Sequence, residues 1–192
     1  MNPFYRKVGA YFNGNDKTDF VVWAPLKNKV EVLLKGEEDK LYPLQKDDRG
    51  YWVGSFEGIK PGDRYFYKID NELDRPDPAS MFQPDGVHGP SGVINRSFNW
   101  TDQNWKGLEM QDLIIYELHV GTFTQNGTFE GVIEKLDYLS ALGITAIEIM
   151  PVGQFPGERN WGYDGVYPYA VQNSYGGPEG LKKLVDAAHK AG

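Results

Sequence analysis

Residues 113–120, LIIYELHV, form a nearly continuous apolar run that decides how the chain is organised. Such a run is typical of a strand that is buried on both faces, as in a parallel sheet. A second run of the same character, residues 145–150 (TAIEIM), ends at Pro151. A segment of helical periodicity lies between the two runs, so the three pieces together predict a β-α-β unit.

The segment between the two strands carries the signals of one amphipathic helix. Thr128 offers an N-cap and Gly143 a C-terminal stop. The apolar positions between them are Phe129, Val132, Ile133, Leu136, Leu139 and Leu142. A second helix is predicted to begin at Pro178, a favoured position in a first turn, and to end at Gly192. Two β/α units are therefore expected.

A long loop, residues 151–177, separates the second strand from the second helix. It exceeds the ~12–15 residues above which loops in compact domains are usually functional or disordered. Its aromatic residues argue against disorder; they are Phe155, Trp161, Tyr163, Tyr167, Tyr169 and Tyr175. The loop leaves the carboxyl end of a parallel strand, and in a β/α barrel that end holds the active site.

The centre of this loop, residues 160–169 (NWGYDGVYPY), combines aromatic rings, glycines and one carboxylate. Aromatic rings suit the apolar C–H faces of a sugar, and a carboxylate accepts hydrogen bonds from its hydroxyls. We therefore interpret the stretch as a sugar-binding segment. The alternative is a glycine-rich turn anchored by core aromatics, because short motifs often occur without their function.

The first half of the chain, from residue 18 to about residue 95, is composed of short strands separated by Pro/Gly turns. This pattern indicates an antiparallel sandwich. Alternation in residues 51–56 places Trp52 and Phe56 on one face. We interpret Trp23 and Trp52 as core residues rather than glucan platforms, because such sandwiches commonly centre on a buried Trp. Residues 74–96 are Pro-rich and predict a semi-rigid connector that is pinned to the surface.

Composition excludes several classes of function. The chain has 192 residues and no Cys, which excludes disulfides and thiolate metal sites. The net charge of -7 opposes binding to nucleic acid. The start of the chain lacks a signal-peptide pattern, and no run approaches the ~18 apolar residues of a membrane span, so a cytoplasmic protein is expected. His88 and His189 are interpreted as structural or exposed, and no metal or cofactor is expected.

Motifs along nearly the whole chain match, in order, those of one known family. The segments are 19–25 (DFVVWAP), 30–32 (VEV), 77–80 (DPAS), 86–91 (GVHGPS), 116–124 (YELHVGTFT), 143–152 (GITAIEIMPV), 155–157 (FPG), 161–167 (WGYDGVY) and 175–178 (YGGP). Together they resemble glycoside hydrolase family 13, the α-amylase type, and within it the maltooligosyltrehalose trehalohydrolase branch.

The resemblance implies a domain organisation. Residues 1–95 would form an immunoglobulin-like (early-set) β-sandwich of the starch-binding type, and residues 96–112 a connector. Residues 113–192 would be the first two β/α units of a TIM (β/α)8 barrel. Two units cannot close a barrel of eight. We therefore expect a truncated barrel, the front part of a longer protein, which is poorly soluble alone or depends on a partner, the remainder of the barrel.

The resemblance also implies a reaction. The family cleaves α-glycosidic bonds by the retaining mechanism, in which one carboxylate attacks the anomeric carbon and another protonates the leaving oxygen. Those acids lie on later strands of the family's barrel, so no catalytic residue is assigned in this chain. Glu117 and Glu148 lie in the two predicted strands, but neither matches a catalytic position of the family.

The substrate-binding residues are carried over from the same motifs. Tyr163 matches the family tyrosine that stacks on the sugar just before the scissile bond; the alternative is a core aromatic of the loop. Asp164 follows it, at a position where related enzymes hydrogen-bond a sugar hydroxyl. Asp164 could equally be a turn-forming residue before Gly165. Trp161 is a further platform or, as we favour, an anchor of the loop. His119 lines the floor of the site or is a core histidine. The implied substrate is an α-glucan, maltooligosyltrehalose.

Three other functions stay open at this point. Glycogen branching enzyme shares the domain order, but it typically has Gln in place of Asp164 and lacks the run Thr122-Phe123-Thr124. The sandwich could act alone as a non-catalytic glucan-binding module. The chain could also be a scaffold that completes a barrel supplied by another chain.

Overall fold

The computed structural model describes residues 7–192. The prediction that the start of the chain lacks a signal peptide concerns residues 1–6, which lie outside that range. From residue 7 onward, the first half contains nine strands: β1 Gly9–Phe12, β2 Lys17–Trp23, β3 Val30–Lys35, β4 Lys40–Pro43, β5 Gln45–Lys46, β6 Tyr51–Glu57, β7 Arg64–Ile69, β8 Leu73–Arg75 and β9 Ser91–Gly92. No helix in residues 7–192 is long and apolar enough to span a membrane.

These strands form two antiparallel sheets, as predicted. The first has the order β1-β2-β6-β5 and the second the order β4-β3-β7-β8, with β9 also paired to β7. Aromatic rings fill the space between the sheets: Phe20 meets Tyr65 edge-on with ring centroids 5.0 Å apart. Trp52 is buried in this core, and Phe56 packs against the same cluster. The prediction for these two residues is confirmed.

The prediction that Trp23 is a core residue is wrong, since 60% of it is exposed. Alternate residues of β2 point inward, and Phe20 and Val22 are both buried. Trp23 must therefore point outward, where its indole N–H donates to the backbone oxygen of Arg49 at 3.2 Å. Trp52 lies opposite Val22 in the ladder and takes the inward position.

Residues 74–96 are not a linker on the surface but part of the sandwich. The strands β8 and β9 both lie at least partly in this segment and both pair with β7. Four polar residues between positions 77 and 91 are buried, which a solvated linker would not allow: Asp77, Ser80, Gln83 and Ser91. The sequence did not indicate this role, because a polar segment with several prolines is usually a turn or an edge strand of a sheet.

Asp77 is the centre of that buried network. Its Oδ2 accepts hydrogen bonds from the hydroxyls of Tyr65 at 2.6 Å and Tyr67 at 3.3 Å. Its Oδ1 accepts one from the backbone N–H of Ala79 at 2.8 Å, and its own N–H donates to Ser91 Oγ. Burial raises the pKa of Asp77 to about 6, and the hydrogen bonds only partly oppose that rise.

This pKa shift predicts how stability depends on pH. The pKa of Asp77 rises from 3.8 to about 6 on folding, so the folded protein binds more protons between those values. The stabilising contribution of the protonated carboxyl is complete below pH 3.8 and is lost as the pH rises through about 6. Asp77→Asn removes this titration. We expect its free energy of unfolding in urea, relative to that of wild type, to increase from pH 5 to pH 7.5; a difference that does not change with pH would contradict this.

The second half begins with the predicted parallel pair. Strands β10 (Ile115–Leu118) and β11 (Ala146–Ile149) are parallel, with Ile115 opposite Ala146. The expected burial on both faces is wrong for these residues, because Ile114 and Ile115 are each more than half exposed. Among the described residues the two strands pair only with each other. One face of the pair is open, since Ile115, Glu117 and Glu148 are exposed, whereas Leu118 on the other face belongs to the buried core.

Three short helices connect the two strands: α1 Val120–Phe123, α2 Phe129–Ile133 and α3 Leu136–Ala141. Thr128 caps α2 through Oγ1, which accepts from the N–H of Gly131 at 3.2 Å, and Gly143 has a left-handed φ of 93°. Both predicted boundaries are confirmed. The single predicted helix is divided at Lys135, whose φ of -107° and ψ of 0° leave the helical region. Leu142 is exposed, contrary to the predicted apolar face.

A two-stranded hairpin and a long helix complete the chain. Strands β12 (Gly153–Gln154) and β13 (Tyr167–Val171) pair antiparallel, and α4 spans Gly177–Lys190. The predicted second helix is confirmed, with Pro178 in its first turn. The apolar core of this half lies between β10, α2 and α4 and includes the buried side chains Leu118, Phe129, Phe155, Tyr175 and Leu184.

Polar contacts join the two halves. Tyr167 Oη donates to the backbone oxygen of Val87 at 3.0 Å, and Asn173 Nδ2 donates to that of Pro84, also at 3.0 Å.

The imidazole of His189 stacks on Trp105 with ring centroids 3.6 Å apart. His189 therefore has a structural role, as expected, and His88 is exposed.

Candidate functional site

The aromatic loop lies at the carboxyl ends of the two parallel strands. His119 directly follows β10, and its Nε2 is 2.7 Å from the backbone oxygen of Asn160. Gly162 packs so closely on the backbone oxygen of Pro151, just beyond β11, that a Cβ at this position would overlap it. Each strand end therefore contacts the loop directly. The predicted position of residues 160–169 at this end of the sheet is confirmed.

Two buried glutamines hold the base of the loop. Gln172 Oε1 accepts from the N–H of Phe155 at 3.0 Å, and its Nε2 donates to the oxygen of Gly157 at 3.1 Å. Gln154 Oε1 accepts from the N–H of Asn173 at 3.0 Å. Neither glutamine was singled out from the sequence. Pro168 argued against a strand at this point of the sequence, because proline in a sheet is confined to edge strands, strand starts and bulges. β13 contains Pro168 and is an edge strand of a two-stranded sheet.

Asn160 shapes the tip of the loop. Its Oδ1 accepts from the N–H of Gly162 at 2.7 Å, and its Nδ2 lies 3.4 Å from Asp164 Oδ2. An Asn side chain that bonds the backbone two residues later stabilises a turn in this way. Sequence reasoning missed this role, although an Asn followed two residues later by Gly is a signal for it. The turn positions Trp161, Tyr163 and Asp164.

All three predicted residues are exposed at the tip of the same loop. Trp161 is 77% exposed and Tyr163 is 70% exposed, and Asp164 is also exposed. The prediction that Trp161 anchors the loop is wrong, because the side chain of Asn160 and the backbone of Gly162 do so instead. Two rings and one carboxylate are therefore open to solvent above the strand ends.

His119 lies beneath the loop and is partly buried. Because Nε2 faces the carbonyl oxygen of Asn160, that nitrogen carries the proton and donates. Nδ1 is then left to accept from Thr122 Oγ1 at 3.4 Å. The ring of Tyr175 meets the imidazole edge-on, with centroids 6.1 Å apart. His119 therefore supports the loop from below.

Two family models match this chain. A family model of the α-amylase catalytic domain matches residues 93–192, just over half of the chain. The chain belongs to the α-amylase family. Residues 7–81 of this α-amylase family member match carbohydrate-binding module 48, the isoamylase N-terminal domain. The predicted resemblance is confirmed, and the sandwich and the β/α units correspond to these two matches.

The relatives of this α-amylase family member are longer proteins. It is 55% identical over 183 residues to malto-oligosyltrehalose trehalohydrolase of Saccharolobus solfataricus, a match that covers 95% of this chain and 32% of the relative. It is 30% identical to the 1,4-alpha-glucan branching enzyme GlgB 2 of Clostridium perfringens, over 97% of this chain and 32% of that relative. The chain therefore spans about a third of the length of the relatives it matches.

Two solved structures have a similar fold. A Salmonella typhimurium protein assigned as an alpha amylase superimposes with a TM-score of 0.90 and 42% identity, covering 98% of this chain and 32% of that one. A pullulanase from Group B Streptococcus in complex with maltotetraose has a TM-score of 0.76 and 25% identity, covering 98% of this chain and 32% of that one. The α-amylase family member thus has the fold of the corresponding parts of both proteins.

Glu117 and Glu148 are paired in register in the middle of β10 and β11, and both are exposed. They lie below the strand ends rather than among the residues of the loop. Within residues 7–192, no three His, Asp or Glu side chains are grouped as a metal site would require.

Proposed function

We propose that this chain is the N-terminal part of a retaining α-glycoside hydrolase that releases trehalose from maltooligosyltrehalose. The observation that carries the proposal is the loop at the carboxyl ends of β10 and β11, with Tyr163, Trp161 and Asp164 open to solvent together. The relative with 55% identity supports the choice of substrate. The finer organisation belongs to the same proposal: an early-set sandwich over 1–95, a connector over 96–112, and an incomplete barrel over 113–192 in a cytoplasmic enzyme.

In this proposal the chain binds and orients the sugar. The ring of Tyr163 stacks on the apolar face of the glucose before the scissile bond, and Asp164 accepts a hydrogen bond from a hydroxyl. Asn160 and His119 hold the loop in place from the side and from below. The two carboxylates of the retaining mechanism would come from the remainder of the barrel, which is the required partner.

The experiment is an assay of the complete enzyme with maltotriosyltrehalose, with free trehalose as the measured product. Formation of α-1,6 branches in amylose, without release of trehalose, would favour the branching enzyme instead. Thr122-Phe123-Thr124 and Asp164 favour the trehalohydrolase between these two. Binding of amylose with neither reaction would leave a non-catalytic glucan-binding module, for which affinity gel electrophoresis is the direct test.

Tyr163→Ala is expected to lower kcat/KM of the complete enzyme for maltotriosyltrehalose by a factor equivalent to about 1–3 kcal/mol. The reason is that one aromatic stacking contact contributes on this scale. Tyr138→Ala is the matched control, since Tyr138 is similarly exposed but lies on α3. Unchanged kinetics for Tyr163→Ala would remove this residue from the binding site.

A further inference from the structure

A groove separate from the loop tip lies where the sandwich meets the hairpin of β12 and β13. It has a volume of about 260 Å³, and its walls include Tyr11 of β1, Met81 and Arg96 of the first half, and Tyr169 of β13. It shares no residue with the loop tip at 160–165. Its walls nonetheless belong to both halves of the chain, and Tyr169 lies on the strand that follows the loop.

Arg96 lies over the ring of Tyr11 in this groove. Its guanidinium carbon lies 3.7 Å from the centre of the Tyr11 ring, and one of its terminal nitrogens is 2.6 Å from Met81 Sδ. Within residues 7–192, Arg96 forms no salt bridge. A thioether sulfur is a weak acceptor, so most of the five guanidinium donors have no strong partner in the described chain.

Tyr169 supplies an aromatic surface in the same groove. Its side chain is 62% exposed, although Tyr167 and Ala170 beside it are buried. An exposed ring together with a planar set of N–H donors matches a sugar, which has apolar C–H faces and a rim of hydroxyl acceptors. Tyrosine and arginine are also among the residue types that are enriched at the energetic centres of binding surfaces.

We propose that this groove, formed by Tyr11, Arg96 and Tyr169, binds one glucose unit of the α-glucan chain away from the scissile bond. The inference rests on the proposed function and adds to it a preference for long substrates. The volume is below the roughly 300–1,000 Å³ of pockets that enclose whole drug-sized ligands, so it suits one unit of a chain that continues past it. Tyr169 stacks on that unit, and Arg96 donates to its hydroxyls.

The test compares long and short substrates in the complete enzyme. We expect Tyr169→Ala and Arg96→Ala to lower kcat/KM on the order of fivefold for maltohexaosyltrehalose and to leave it unchanged for maltosyltrehalose. Arg96→Lys should behave like Arg96→Ala, because lysine keeps the charge but lacks the planar donor set. Tyr138→Ala is the control and should change neither value.

A binding measurement separates this proposal from the proposed function. Migration of the complete enzyme in an amylose gel does not require hydrolysis, and we expect Tyr169→Ala and Arg96→Ala to be retarded less than wild type. Unchanged retardation of both variants would overturn the groove whether or not the enzyme releases trehalose. An equal loss of kcat/KM for both substrates would also overturn it. Full activity of Arg96→Lys, together with competition by inorganic phosphate, would indicate an anion site instead.

Discussion

Replacing Asp77 by alanine should lower the free energy of unfolding at pH 5 by about 3 kcal/mol or more. The substitution leaves the hydroxyls of Tyr65 and Tyr67 and the N–H of Ala79 without their acceptor inside the sandwich. Each buried polar group that loses its partner costs about 1–3 kcal/mol. The loss should be smaller at pH 7.5, because wild type itself is less stabilised by Asp77 above the pKa of about 6.

Urea denaturation of wild type and variant at the two pH values measures this effect. Asp74→Ala is the matched control, three residues away: Asp74 is exposed and pairs with Lys68 at 3.0 Å. A surface ion pair of this kind contributes at most about 1 kcal/mol. A loss below about 1 kcal/mol for Asp77→Ala at pH 5 would show that the buried network is not required for stability.

Gly162→Ala should lower kcat/KM of the complete enzyme on the order of a hundredfold, because small displacements of positioning groups can have effects of that size. Gly162 has a φ of 98°, which side chains rarely adopt, and a Cβ would overlap the backbone oxygen of Pro151. The backbone of the loop must therefore move, and Trp161 and Tyr163 move with it.

Two other glycines of the same loop separate the causes. Gly165→Ala introduces only ordinary contacts, the nearest at 3.7 Å, and should be tolerated. Gly157→Ala combines a φ of 73° with open space around the new Cβ, so it tests the backbone conformation without the overlap. The difference in near-UV circular dichroism between Gly162→Ala and wild type reports altered surroundings of aromatic side chains independently of activity. Wild-type kinetics and spectra for Gly162→Ala would mean that the loop tolerates the change.

The predictable parts of the fold were those with strong local signals. The apolar runs at 113–120 and 145–150 predicted the parallel pair, and Thr128 and Gly143 predicted the two ends of the connecting segment. The length and aromatic content of residues 151–177 predicted a functional loop at the strand ends. These signals act over a few residues, through hydrogen-bond capping, backbone conformation and periodicity.

The incorrect or missing predictions all concern contacts between distant residues. Trp23 and Trp52 are equally aromatic in the sequence, but the pairing of Val22 with Trp52 places one outside and the other inside. Trp161 looked like an anchor because the contact between Gly162 and Pro151 is not visible in the sequence. The buried network around Asp77 was missed for the same reason.

The amino-acid sequence by itself determined the class of each half, the family and the position of the aromatic loop at the strand ends, because periodicity, caps and ordered motifs are local features of the chain. Only the tertiary structure decided which aromatic side chains are buried and which are open to solvent. That choice depends on strand register and on backbone contacts between residues far apart in the chain. Contacts between distant parts of the chain also bring Tyr11, Arg96 and Tyr169 into one groove.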